Sequence, residues 1–230
     1  MALLFFLRLR IPNLDASSMG RDWDLNRKNS GLTLFPPFVF NNEHEVYKGK
    51  IEALYHLRGY LMNNQEEYVV ISNTNIAYNI DFEEVEQFHI DKNADITVLT
   101  YRPDEINSRK FVVTADKNNR ITDLRYAVAS DTGKQLCNLN IYFVKKDLLI
   151  SLVDNAFAHG SYDFEKDILQ ANLQDLYIMN YEVKEYVAVI DRIPTYFKVS
   201  MDLLKPEVRE ALFYKHSTIL TKVKDSVPAR

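Results

Sequence analysis

Few residues in this 230-residue chain combine a reactive type with a productive spacing. Asp22 and Asp24 flank Trp23 in an Asp-x-Asp, a pair of carboxylates that can share a divalent cation but also suits a solvated loop. The five histidines, His44, His56, His89, His159 and His216, are scattered, and no H-E-x-x-H places two on one helix face. A zinc site therefore has no support. Cys137, the single cysteine, excludes an internal disulfide and has no histidine beside it to activate a thiolate. No G-x-S-x-G elbow offers a nucleophilic serine. The glycines (Gly20, Gly31, Gly49, Gly59, Gly133, Gly160) are too dispersed to cradle phosphate, which needs clustered glycines so that backbone N–H groups can approach.

The elements that must position any site centre on residues 67–82, EYVVISNTNIAYNIDF. Tyr68-Val69-Val70-Ile71 is a short β-branched run, as expected of a strand buried on both faces of a parallel sheet. The chain leaves it at Ser72-Asn73-Thr74-Asn75, and in doubly wound α/β folds the carboxyl end of a central strand is where ligands and metals are met. This loop carries no carboxylate, histidine or thiol. Asp81 then reads as the N-cap of a helix with acids in its first turn.

Ile51, Leu54, Tyr55, Arg58, Leu61 and Met62 recur at helical spacing, with Gly49 at the helix entrance, either as a turn or as a place of close ligand approach. Residues 95–101 alternate enough to predict a strand with one more polar face. Residues 111–126 predict a hairpin turning at Lys117-Asn118-Asn119. A strand over 139–144 is followed by a helix whose stripe includes Leu148, Leu149, Leu152, Val153, Ala156 and Phe157, with Gly160 just past its end. Asp163 to Asp167 opens a shorter helix, residues 176–190 supply two strand-like segments, and a last helix from about Pro194 stops at Pro206. Residues 19–40 read as irregular, except for a strand at 32–35 closed by Pro36-Pro37.

Hydrophobic residues make up 47% of the chain, enough for a sizeable core. The 28 basic and 32 acidic residues are interspersed, giving a net charge of −4 and no stripe for nucleic acid or anionic membrane. The apolar opening at residues 2–7 has no basic residues before it and no cleavage site after it, and it is far shorter than a membrane span of ~20 residues. It reads as a buried strand, and the cytoplasm is the expected compartment.

The order of segments resembles bacterial ADP-glucose pyrophosphorylase, the nucleotidyltransferase of glycogen synthesis. Four stretches carry the resemblance: residues 46–53 (VYKGKIEA), 69–82, 163–168 (DFEKDI) and 196–203 (YFKVSMDL). Residues 22–25, 34–38 and Ile190-Asp191 are similar to the D-type, regulatory branch rather than to the catalytic C-type branch. The resemblance implies an α/β, Rossmann-like (GT-A-like) fold with a mixed, mostly parallel sheet and helices on both faces. It also implies an N-terminally incomplete domain over 21–205, an unplaced segment 1–20, and a linker helix with the start of a left-handed β-helix over 206–230.

Catalytic members carry a G-G-x-G-T-R loop, which this sequence lacks, and a G-D-H whose aspartate helps hold Mg²⁺; here the corresponding residues are Thr74, Asn75 and Ile76. The second metal aspartate, in D-V-G-T, falls on Val189, and the lysine of E-K-P, which holds the sugar phosphate, falls on Ala127. The G-T-A-D-A motif reads Gly49-Lys50-Ile51-Glu52-Ala53, and D-F-G-K-D reads Asp163-Phe164-Glu165-Lys166-Asp167. The resemblance thus implies no catalytic residues, no metal ligands and no resident cofactor. What remains is a vestigial substrate pocket of Gly49, Glu52, Asn75, Asp163, Lys166 and Asp167. Its expected partner is the catalytic C-type subunit, or a second copy by self-association. Two other readings stay open: an active sugar-nucleotide enzyme using Asp22 and Asp24, and a truncated remnant without function.

Overall fold

The computed structural model describes residues 2–6, 35, 47–106, 110–131, 133 and 135–216. Asp22, Asp24 and, of the strand expected at 32–35, all but Phe35, like residues 217–230, lie outside them, so the Asp-x-Asp is not placed. The remaining segments build one mixed sheet with helices on both faces, and the expected class holds.

The sheet runs β1 (Ala2–Phe6), β2 (Tyr68–Asn73), β7 (Leu136–Lys145), β4 (Ile96–Tyr101), β8 (Ile178–Glu182), with β5 (Phe111–Ala115) on β7 and β6 (Ile121–Tyr126) beyond it. β1 is parallel to β2, and β4 is parallel to β8, while β7 lies antiparallel between β2 and β4. Four of the five strands on this path therefore point the same way, although the ladders flanking β7 are antiparallel. The apolar opening does form a strand, and its pairing from Ala2↔Val69 to Phe6↔Asn73 covers the edge that β2 would otherwise expose.

Successive residues of β2 serve opposite faces, as a period of two requires. Val69 and Ile71 enter a core with α1 (Lys50–Asn63), α3 (Lys146–Ala158) and the π-helical segment Phe164–Gln170. Val70 enters the other core, with residues of α2 (Phe82–Asp91), β3 (Ile76–Tyr78) and β9 (Val187–Val189). Local signals set these elements as expected: Asp81 accepts from Glu83 N at 2.9 Å to cap α2, Asn119 turns the hairpin with φ 68°, and Gly160 follows α3 with φ 71°.

Three expectations are corrected. β4 has no solvent face, since all six residues are buried. Its threonines are hydrogen-bonded instead, Thr97 Oγ1 to His89 Nδ1 at 2.8 Å and Thr100 Oγ1 to Asn180 Oδ1 at 2.6 Å, so neither is left as a costly unpaired buried group. Pro206 does not end the last helix: α4 (Ile193–Asp202) finishes earlier, and Pro206 opens α5 (Pro206–Phe213), where its missing N–H costs nothing. Cys137, which the strand expected at 139–144 left just before its start, lies inside the longer β7 and is fully buried. No helix among the described residues is long and apolar enough to cross a membrane.

Candidate functional site

The expected site residues fall into two groups. The first lies at the carboxyl end of β2, where α1 and the π-helical segment both begin. Gly49 has an extended backbone, and a Cβ there would stand 2.0 Å from the Tyr162 carbonyl oxygen. The glycine is therefore required by a backbone contact within the protein, and Ile51 N donates to the same carbonyl at 3.5 Å. Glu52 turns back to accept from Lys48 N at 2.5 Å, which occupies it at the helix entrance. Asp163 caps the π-helical segment by accepting from Lys166 N at 3.0 Å. Asp167 accepts from Tyr162 N and Asp163 N at 3.1 and 3.0 Å. The Lys166 residue is exposed. Asp167, with His159 and Ser161, also borders a cavity of about 290 Å³ between α3 and this segment.

In the sequence Lys50 and Glu165 are only departures from two motifs; the structure joins them in an ion pair. Glu165 is 9% exposed, and its Oε1 also accepts from the Tyr142 hydroxyl at 2.7 Å. Tyr142 pairs with Ile71 across the β2–β7 ladder, two residues before β2 ends at Asn73; the strand thus runs past Ser72, where the sequence suggests that the loop begins. The register slips beside Tyr142: Leu99 faces Ile141 but Thr100 faces Asn138, and Asn140 takes φ 56°. Such a bulge re-aims side chains, and here Asn138 Nδ2 donates to the Tyr142 hydroxyl at 2.8 Å with Asn140 Oδ1 3.1 Å away. The Lys50 ammonium lies 5.3 Å from the Tyr142 ring centroid. Burial works to raise the Glu165 carboxyl, but the Lys50 charge and the hydrogen bonds from Lys50 and Tyr142 outweigh it and hold the group below its ordinary range. Burial, with the Glu165 charge, pushes the Tyr142 phenol well up. Opposite charges at two motif departures were the signal that could have suggested this pair.

The second group centres on the neutral residues Asn75, Val189 and Ala127. Asn75 stands at the start of the two-stranded β3–β9 ribbon, in which Ile76 faces Val189. Its backbone oxygen accepts from Ile190 N at 2.8 Å, and its side-chain Nδ2 donates to the Ile190 carbonyl at 3.3 Å. The two positions that the resemblance pairs as metal-binding are thus close in space. Asp191 carries its carboxylate to the Thr195 hydroxyl at 3.0 Å and to Arg192 Nε at 3.5 Å. Ala127 is buried, and its N–H donates to the Lys110 carbonyl at 2.9 Å. The Lys110 amine bonds the Tyr101 hydroxyl, and burial lowers its pKa. Arg125 is held in a two-pronged pair with Asp131, both contacts at 2.9 Å. Among the described residues no three His, Cys, Asp or Glu side chains converge.

A mixed sheet with helices on both faces, and with its candidate residues near strand ends, defines an open-sheet α/β domain. Residues 29–191 match the Nucleotidyl transferase family, and the chain belongs to it. It is similar to glucose-1-phosphate adenylyltransferases, being 28% identical over 218 residues to that of Thermotoga sp. (strain RQ2), with 92% of this chain and 51% of the relative covered. With the enzyme of Halalkalibacterium halodurans it shares 30% identity over 190 residues, 81% of this chain and 49% of the relative. The chain spans about half the length of these curated relatives. The crystal structure of HddC from Yersinia pseudotuberculosis shares the fold, with a TM-score of 0.62 and 14% identity over 87% of this chain and 77% of that one.

Proposed function

We propose that this chain is a non-catalytic, D-type regulatory or structural subunit related to glucose-1-phosphate adenylyltransferase. It works in the cytoplasm with a catalytic C-type subunit to support ADP-glucose synthesis for glycogen. One observation carries the reading: Asn75 directs an amide N–H at the Ile190 carbonyl, beside the aliphatic Val189, where a carboxylate pair would be needed to hold Mg²⁺. A hard cation takes oxygen donors, carboxylates above all, and Asn75 turns its amide nitrogen to a backbone carbonyl and has only a neutral amide oxygen to offer. Ala127 in place of a lysine removes a further stabilising charge. Losses of this kind cost ~3 kcal/mol or more each in transition-state stabilisation.

The test is pyrophosphate release from ATP and glucose 1-phosphate with Mg²⁺, for the chain alone and together with the C-type subunit. The expected result is no turnover above background alone, co-elution of the two chains on size exclusion, and altered kinetics of the catalytic partner. Turnover by the isolated chain would overturn the proposal and favour an active nucleotidyltransferase.

A further inference from the structure

We propose that Glu165 is a built-in anion that occupies Lys50 and thereby closes the carboxyl end of β2 to phosphate-bearing ligands. This rests on the non-catalytic reading above, in that the closed position is one a working enzyme would keep open. The location is the first argument. Ligands in open α/β sheets are met just beyond the carboxyl ends of the strands, and Tyr142, opposite Ile71, stands at that end of β2. Lys50 is the first residue of α1, and Glu165 lies in the first turn of the π-helical segment, so both side chains start from helix entrances aimed at the same end of the sheet.

The second argument is completeness. Glu165 accepts from Lys50 and from Tyr142, Tyr142 accepts from Asn138, and Asn138 Oδ1 accepts from Asn140 N at 2.8 Å. The bulge in β7 that presents these asparagines serves an internal carboxylate as it would serve a ligand's oxygens. The third argument is energetic. A buried ion pair is often no more stabilising than apolar residues of the same volume, so fold stability alone gives little reason for one here. A carboxylate that keeps an ammonium from binding other anions does give one.

The experiment is thermal unfolding and calorimetric titration of the full chain with inorganic phosphate and with glucose 1-phosphate. It compares the wild type, Glu165→Gln and the double variant Lys50→Met/Glu165→Gln. The wild type is expected to show no response at millimolar ligand. Glu165→Gln should melt several degrees lower and regain stability in proportion to the logarithm of phosphate concentration, because a ligand that binds only the folded state stabilises it by mass action. The double variant should recover part of the lost stability and ignore phosphate. A response to glucose 1-phosphate but not to inorganic phosphate would still support the proposal and locate sugar contacts as well. A folded Glu165→Gln that ignores both ligands would overturn it, because a purely structural pair loses stability without gaining anion affinity; so would a wild type that binds phosphate equally well. Should Glu165→Gln not fold, Glu165→Met also takes the carboxylate away from Lys50 and should show the same phosphate response, whose absence in a folded variant would overturn the proposal. Pyrophosphate release by the wild type would sink the non-catalytic reading without deciding this one, which the phosphate titration judges separately.

Discussion

The two faces of the sheet bury polarity in opposite ways. On the face covered by α1, α3 and the π-helical segment, the core closes around a pair of full charges, Lys50 and Glu165, tied to the fully buried Tyr142. On the face covered by α2, β3 and β9, the most deeply buried polar side chains, such as His89 and Thr97, are neutral, and the Lys110 amine is only partly buried. His89 is 3% exposed, lies against Phe143 and Tyr68, and shares a 2.8 Å hydrogen bond with Thr97. Asn75 meets a backbone carbonyl. The difference fixes how each face fails: uncovering one member of an ion pair strands a charge in the interior, whereas a neutral group loses only its hydrogen bond.

The largest effect should therefore come from the charged face. Lys50→Met leaves Glu165 without its cation and should cost about 3–5 kcal/mol by urea denaturation, towards the lower end because the paired side chains keep 18% and 11% exposure. A loss below about 1 kcal/mol, the range of water-screened surface pairs, would erase the contrast between the faces.

Next comes the pH dependence of the neutral face. Burial lowers the His89 pKa from 6.5 to about 4, partly opposed by Asp95. The unfolded chain therefore takes up this proton first, and stability falls as pH drops through the interval from 6.5 to about 4, by about 3 kcal/mol in all. Above pH 6.5 the group contributes no slope. Glu165 behaves differently: held below 4.5, it contributes stability above that pH and loses it only further into acid. Stability curves for the wild type and His89→Gln should thus separate between pH 6.5 and 4.5, before the charged face begins to titrate. Parallel curves in that interval would mean that His89 keeps its ordinary pKa in the fold.

The smallest effect is expected at Asn75→Asp. The substitution removes the N–H that meets the Ile190 carbonyl and sets a carboxylate against it, at a cost of about 1 kcal/mol. It should bring no pyrophosphate release, because Val189 and Ala127 are unchanged and groups that act as one catalytic unit do not recover singly. Turnover in this variant would show that the neutral ribbon is one residue away from an enzyme.

What the sequence determined by itself was local. The β-branched run at 68–71, the apolar stripe of α3 and most of that of α1, the Asp81 cap, the Asn119 turn and the left-handed Gly160 depend on interactions within a turn or two of chain, and the structure has them where residue type and period place them, although in α1 Leu57 is buried and Met62 is exposed. That Asn75 and Val189, at the positions the resemblance assigns to metal-binding aspartates, carry no carboxylate is a matter of residue type and needs no fold. Tertiary structure decided the rest. Thr97 and Thr100 gave β4 the look of a half-exposed strand, but β7 and β8 on its two edges and cores on both faces buried them, with partners drawn from α2 and β8. Proline at 206 is a stop or a start depending on where the chain turns after α4. Lys50 and Glu165, 115 positions apart, became a pair only because sheet order brought the entrances of α1 and the π-helical segment to the same end of β2. Their opposite charges were visible in the chain; the desolvation that makes each need the other exists only once the core closes over them.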